Sequence, residues 1–235
     1  MKKRFIYLSE GQNGRGGVMS DDVGIIHDIF GVDEAIYLPT KMHEVMLDKD
    51  RREEAFSRYI KEYSCDPSVD GFHDYYMAEQ AERKTNKQDF TPNAVSDLVA
   101  KLTGSNHANF VFEPTAGTGG MMIRNWWEGI QSLGPLGMLF HKPSSKFYWL
   151  EELSDRAIPF LLFNAAIRGI NAVIVHGDSL SREVKNIYFV QNTEDEPFAH
   201  SSINVMPRTD EVRRYFNVDD WVGEPLEHIE DELEL

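Results

Sequence analysis

The stretch FVFEPTAGTGGMMI, residues 110–123, decides the fold of this chain. Its first four residues form a strand pattern, which runs into a glycine-rich turn and then into a helix pattern. Gly117, Gly119 and Gly120 allow the backbone to turn tightly and to approach a ligand closely. The helix that follows directs its amino terminus at the same point, which favours a carboxylate or a phosphate. The stretch is typical of an α/β fold that binds an anionic or nucleotide-like ligand, and a plain turn between a strand and a helix is the alternative.

Strand and helix patterns alternate after this stretch, and a glycine at position 169 ends the second helix. Alternation of this kind predicts a parallel sheet with right-handed connections. The sequence SINVMP, residues 202–207, could supply one more strand. The predicted elements are a strand at 110–113, a helix at 119–133, a strand at 147–152, a helix at 155–168, and strands at 172–176 and 186–191.

Acidic residues follow the second and third predicted strands, where ligands lie in open parallel sheets. Glu151 and Glu152 end the second strand, and strand alternation allows only one of them to face the crevice. An acid at this position typically accepts hydrogen bonds from ribose hydroxyls. Asp178 follows the third strand and could accept a hydrogen bond from an adenine amino group, or could simply form a turn.

Composition limits the classes of function. The net charge of −15 makes the isolated chain a poor binder of DNA, because Lys and Arg dominate contacts with phosphates. A single cysteine excludes a disulfide within the chain, and no CxxC pair predicts a zinc site. The first residues do not form a signal peptide, and no apolar run has the length of a membrane helix. We therefore expect a cytoplasmic protein.

The amino-terminal part has a different pattern from the rest of the chain. Residues 20–83 are predicted to be mostly helical, and Ala55, Tyr59 and Tyr63 have helical spacing. Either Asp48 or Asp50 could cap this helix. We predict three regions: a mostly helical region at 1–86, a ligand-binding domain at 87–215 and an acidic carboxyl-terminal tail at 216–235.

The tail has eight acidic residues and neither Lys nor Arg. A solvated, disordered segment is one interpretation of such a run. An acidic arm for a basic partner is the other.

Four segments in order carry a resemblance to a known family: QDFTP, FEPTAGTGG, ELSDRAIPFLLFNAAIRGI and HGDSL. Together they resemble the N6-adenine-specific DNA methyltransferases, of the kind that form the M subunits of type I restriction–modification systems. The resemblance covers about residues 87–180. It implies a Rossmann-like methyltransferase sheet, S-adenosylmethionine as the cofactor, and DNA methylation as the reaction.

The resemblance also implies roles for individual residues. Glu152 would bind the ribose hydroxyls, because the spacing from Glu152 to Asn164 reproduces that of the family. Asp178 would hold the adenine amine of the cofactor. Phe90, Thr91 and Pro92 would lie against its methionine end, and the cofactor loop would consist of Glu113, Thr115, Gly117, Thr118 and Gly119. Glu113 stands where the family usually has Asp.

The fourth strand departs from the family. It should end in Asn/Asp-Pro-Pro-Tyr/Phe, whose polar groups hold the target amine and whose ring stacks on the flipped base. The nearest match here is Asp195-Glu196-Pro197-Phe198, with a glutamate in place of the first proline. Asp195, Pro197 and Phe198 are therefore the candidate catalytic residues of a degenerate motif. The family sheet usually has seven strands, and we expect a trimmed sheet or one completed by a partner chain.

Three functions remain open at this point. The chain could bind S-adenosylmethionine without catalysis, in a regulatory or scaffolding role. It could be an active adenine methyltransferase that works with a partner subunit, a protein partner or a second copy of itself. It could also be an acidic interaction protein, such as a DNA mimic.

Overall fold

The computed structural model describes residues 20–73, 75 and 108–230, and within them a six-stranded sheet forms the centre. Five strands lie in the order β1-β2-β3-β4-β5, and β6 pairs with β4. The predicted α/β class is confirmed. The strands are β1 (Phe110–Glu113), β2 (Phe147–Glu152), β3 (Asn171–Gly177), β4 (Glu183–Gln191), β5 (Ser202–Val205) and β6 (Asp220–Trp221).

The first three strands are parallel, as the sequence predicts. Phe110 pairs with Phe147, and Phe147 pairs with Asn171, so the carboxyl ends of β1, β2 and β3 lie at one edge of the sheet. The predicted strand in SINVMP is confirmed as β5, which is antiparallel to β4.

The expectation of a parallel fourth strand is wrong. Strand β4 runs antiparallel to β3, with Gly177 opposite Val184. The N–H of Asp178 donates to the carbonyl of Glu183, and the N–H of Arg182 donates to the carbonyl of Asp178. Arg182 takes a left-handed conformation, with φ of 57°. The chain thus reverses within five residues, and this turn is too short for a crossover helix.

Among the described residues, most helices cover one face of the sheet, and one short helix lies on the opposite face. They are α1 (Ser20–Phe30), α2 (Leu38–Met46), α3 (Lys49–Arg58), α4 (Gly120–Ser132), α5 (Gly137–Phe140), α6 (Ile158–Ile167) and α7 (Asp210–Tyr215), of which α7 lies on the opposite face. All ten residues of α6 are buried, which fits its apolar composition on every side. Phe56 of α3 packs edge-on against Phe163 of α6, so the amino-terminal helices share one core with the sheet.

Asp48 begins α3, and its side chain accepts a hydrogen bond from the N–H of Arg51. Of the two predicted caps, Asp48 is therefore the one used. Helix α3 continues as a π turn, Tyr59–Tyr63.

The opposite face of the sheet is partly open. A groove of about 760 Å³ lies between the sheet and α7, and its lining is apolar except for Glu211. Phe110 and Phe112 of β1 are about half exposed on this face. Because β3 and β4 are joined by a tight turn, no crossover helix between them covers this face.

Most acidic side chains of the segment at residues 216–230 are exposed, as a solvated tail predicts, but the segment also packs against the domain. Phe216 and Val218 are buried, and β6 pairs with β4. Glu230 forms a buried ion pair with Arg52 of α3, with side-chain exposures of 3% and 1%. This segment therefore makes packing contacts with the domain despite its acidic composition. Among the described residues, no helix has the length and apolarity needed to cross a bilayer.

Candidate functional site

Three loops meet at the carboxyl edge of β1, β2 and β3. The N–H of Ala116, in the loop after β1, donates to the carbonyl of Glu151 in β2 at 2.9 Å. The hydroxyl of Ser179, in the turn after β3, donates to the carbonyl of Pro114 at 2.7 Å. These bonds hold the three loops together at the edge where ligands bind in open parallel sheets.

The glycine loop takes a backbone conformation that its sequence requires. Gly117 has φ of 57° and Gly119 has φ of 94°, both in the left-handed region. A Cβ atom at Gly119 would also lie 2.8 Å from Cδ1 of Leu161. Thr118 stands between the two glycines and is buried, whereas Thr115 is exposed at the mouth of the loop. Helix α4 begins directly after Gly119, so its free N–H groups face the same space.

The structure distinguishes the two glutamates at the end of β2. Glu151 is buried and forms an ion pair with Arg182 at 2.8 Å. Glu152 points to the other side, where its carboxylate accepts from the N–H of Gly117 and from the N–H of Ser154, both at 2.8 Å. Each carboxylate oxygen has a second lone pair, so Glu152 can still accept from a ligand.

Glu113 lies at the end of β1, on the same side as Glu152, and is buried. Burial and, secondly, the negative charge of Glu152 raise the pKa of Glu113 to about 8. Glu113 is therefore protonated at neutral pH. A buried carboxyl group with a pKa perturbed in this way is a candidate member of a functional site.

Asp178 shapes the turn after β3. Its Oδ1 accepts from the N–H of Leu180 at 2.8 Å and from the N–H of Ser181 at 3.2 Å. These two hydrogen bonds hold the pKa of Asp178 below its usual value. Asp178 therefore forms a turn, as one of the two interpretations predicted. It lies at the same edge of the sheet as Glu152. Leu153 and Leu180 are exposed beside these acids, at 57% and 94%, and offer apolar surface to a flat ring.

A buried polar network under the loop includes residues that the sequence did not mark. Asp70 accepts from the hydroxyl of Thr118 at 2.5 Å and from Nδ2 of Asn164 at 2.9 Å. Arg168 donates to Oδ1 of Asn164 at 2.9 Å. Asp70 lies 48 positions before Thr118, so no local pattern in the sequence connects them.

The candidate catalytic residues lie at the opposite edge of the sheet. Because β4 is antiparallel to β3, its carboxyl end lies beside the amino end of β3, at the edge where β2 also begins. There Oδ1 of Asp195 accepts from the N–H of Ser144 at 2.8 Å. Pro197 and Phe198 follow in the same half-buried turn. The structure therefore does not bring these residues together with the glycine loop. Phe90, Thr91 and Pro92 lie outside the described residues.

The parallel strands, the glycine loop and the two strand-end acids define a Rossmann-like, methyltransferase-type domain. The family model described as N-6 DNA methylase matches residues 69–203, which is more than half of the chain. The chain belongs to the N-6 DNA methylase family. Neither the curated proteins nor the solved structures gave a match.

Proposed function

We propose that this chain binds S-adenosylmethionine at the carboxyl edge of β1–β3 and is the cofactor-binding component of an adenine-specific DNA methyltransferase. Membership of the N-6 DNA methylase family supports the reaction class. The observation that carries the proposal is that Gly117, Glu152 and the turn of Asp178 lie together at the edge where three successive parallel strands end.

The chemistry of this edge fits the cofactor. Gly117 and Gly119 take the left-handed backbone conformations of the loop, and a Cβ atom at Gly120 would have open space around it, so a ligand can approach the backbone there. Glu152 has lone pairs for the ribose hydroxyls, and the carboxylate of Asp178 can accept a hydrogen bond from an amino group on a purine. The exposed Leu153 and Leu180 would pack against the ring. Bound there, S-adenosylmethionine would supply the methyl group that the reaction transfers.

We further propose that the chain does not complete the catalytic site with the motif at the end of β4. Asp195 has its carboxylate engaged with the N–H of Ser144 at the other edge of the sheet. Groups that hold the target amine would have to reach the glycine loop from elsewhere. Within the described residues, β1 pairs with a strand on one side only, and a partner chain could supply such groups there. An active enzyme, including one of the type I M-subunit kind, is consistent with the geometry when a partner chain supplies these groups.

Isothermal titration calorimetry with S-adenosylmethionine tests the cofactor proposal. Wild-type protein should bind, and Glu152→Gln and Asp178→Ala should each weaken binding by about 10–100-fold, because each removes a charged hydrogen-bond acceptor. Asp195→Ala is a matched control, since it removes an aspartate from the opposite edge and should leave the affinity unchanged. Absence of binding heat at millimolar cofactor, with folded protein, would refute the proposal.

A gel-shift assay tests the link to DNA. The charge of −15 predicts that the isolated chain binds DNA no more tightly than about 1 μM at physiological salt, the range of non-specific binding. Nanomolar binding by the isolated chain would contradict the proposal that binding to DNA depends on a partner chain.

A further inference from the structure

Asp70 lies in the turn that follows the amino-terminal helices, outside the sheet. Its Oδ1 accepts from the N–H of Phe72 at 3.0 Å, which fixes the side chain relative to its own backbone. The same oxygen accepts from Nδ2 of Asn164 at 2.9 Å. The other oxygen accepts from the hydroxyl of Thr118 at 2.5 Å. One carboxylate therefore connects the amino-terminal region, helix α6 and the glycine loop.

The partners of Asp70 are almost inaccessible to water. Thr118 and Asn164 are each 1% exposed. Nδ2 of Asn164 also donates to the carbonyl of Thr118 at 2.8 Å, so Asp70 and Asn164 hold both the side chain and the backbone of Thr118. Hydrogen bonds to a charged acceptor in such surroundings are the stronger class.

Thr118 is the residue through which the loop can be controlled. It stands between Gly117 and Gly119, which both have left-handed backbone conformations and no side chains to restrict them. Fixing Thr118 therefore restricts the two flexible positions on either side. The N–H of Gly117, which donates to Glu152, lies directly before it.

Arg168 holds the turn that carries Asp70. Its Nε donates to the carbonyl of Pro67 at 2.8 Å, and its Nη2 donates to the carbonyl of Val69 at 2.7 Å. Its Nη1 donates to Oδ1 of Asn164 at 2.9 Å. Asp70 and Asn164 are thus both oriented by the same buried guanidinium group.

We propose that Asp70 is a positioning residue for the cofactor loop, and that it acts through Thr118. The inference rests on the proposed function, because the loop it positions is the proposed S-adenosylmethionine site. It makes the turn at residues 67–72 part of that site. Without Asp70, the loop exchanges among conformations, and only a fraction of them can bind the cofactor.

The test compares Asp70→Ala with Asp66→Ala. Asp66 lies directly before this turn, is exposed and, among the described residues, accepts from the N–H and hydroxyl of Ser68. Asp70→Ala should weaken S-adenosylmethionine binding by about 10–100-fold in calorimetry, the effect of losing charged hydrogen bonds. Asp66→Ala should bind like wild type. Asp70→Asn, which keeps the shape and one acceptor oxygen, should recover part of the affinity and replaces the alanine variant if that one does not fold.

Two further measurements separate positioning from general destabilisation. In the protein without cofactor, hydrogen exchange at the amides of residues 117–120 should become faster in Asp70→Ala than in Asp66→Ala, relative to the amides of β3. In a double-mutant cycle on affinity, Asp70→Ala and Thr118→Val should be non-additive, because the two substitutions remove the same contact.

Wild-type affinity in Asp70→Ala would overturn the inference while leaving the proposed function intact. Additive effects in the cycle, or unchanged exchange in the loop, would do the same. If wild-type protein bound no cofactor, the proposed function would fail, and the exchange measurement would still decide whether Asp70 orders the loop.

Discussion

The two edges of the sheet each carry acidic residues in turns, but the surroundings of these residues differ. At the carboxyl edge, burial and the charge of Glu152 raise the pKa of Glu113 to about 8. At the opposite edge, the hydrogen bond from the N–H of Ser144 holds the pKa of Asp195 below its usual value. Asp195 also takes a left-handed conformation, with φ of 49°. The first edge has a buried acid in an unfavourable environment beside the glycine loop, and the second has an acid that connects its turn to the loop of Ser144.

This difference shows why an acidic motif is a weak guide to a catalytic site. Both Glu113 and Asp195 stand at positions to which the family resemblance assigned a role. At the carboxyl edge, polar groups come from the ends of three successive strands, whereas at the other edge Asp195 bonds to Ser144 and a neighbouring amide closes a local turn. Nδ2 of Asn192, for example, donates to the carbonyls of Glu196 and Ala199.

The largest expected effect is on methyl transfer. If the opposite edge has no catalytic role, purified protein with labelled S-adenosylmethionine and mixed-sequence DNA should transfer methyl groups near background. Loss of two preorganised contacts to the target amine costs roughly 6 kcal/mol, or about four orders of magnitude in rate. If transfer is robust and Asp195→Ala or Phe198→Ala abolishes it, the opposite edge is catalytic and the assignment of the two edges is wrong. Transfer only with an added partner subunit would support completion of the site in trans.

The next effect is the pH dependence of stability. The pKa of Glu113 is raised in the folded state, so between about pH 4.5 and 8 the unfolded chain loses this proton while the folded protein keeps it. Glu113 should therefore make the protein less stable as pH rises through this window, by roughly 3–5 kcal/mol in total. Urea unfolding of wild type and Glu113→Gln at pH 5 and pH 8 measures this, and the Gln variant should gain stability relative to wild type at pH 8. An equal difference at both pH values would contradict the prediction.

Substitutions at two glycines with left-handed backbones compare the glycine loop with a turn that lies away from it. Gly119→Ala should cost about 2–3 kcal/mol, because alanine is strained at φ of 94° and its Cβ contacts Leu161. Gly134, after helix α4 and away from the loop, has φ of 89° with open space around it. Gly134→Ala should cost only about 1 kcal/mol and leave cofactor affinity unchanged. Denaturant unfolding gives both values, and equal costs would mean that packing against Leu161 adds nothing.

The smallest effect is expected from Asp195→Ala. Loss of the hydrogen bond to Ser144, with alanine in a left-handed conformation, should cost about 1 kcal/mol of stability. Thermal unfolding detects a change of this size. A loss above about 3 kcal/mol would indicate that this turn contributes more to the fold than its partly exposed position suggests.

The sequence predicted the strands and the glycine loop well because their signals are local. Apolar runs bounded by turn residues define β1, β2 and β3, and the loop needs glycine where φ is positive. Strand alternation correctly required one of Glu151 and Glu152 to face away from the other.

The direction of β4 could not be predicted because its turn has no strong hairpin signal. The left-handed position is taken by Arg182, where glycine or asparagine is usual. The location of Asp195 was missed for the same reason, since reversing a strand moves its end to the other edge. Asp70 and Thr118 are 48 positions apart, and Arg52 and Glu230 are 178 positions apart. No window of local sequence contains both partners of either contact.

The β3–β4 hairpin also has a consequence for the order of folding. Parallel pairing of β1 with β2 and of β2 with β3 must wait for intervening segments of more than a dozen residues to collapse, which is slow. A hairpin closed by five residues can form in roughly 1–10 μs. We therefore expect β3 and β4 to pair early, so that β2 adds to this hairpin next and β1, with the glycine loop that follows it, adds last.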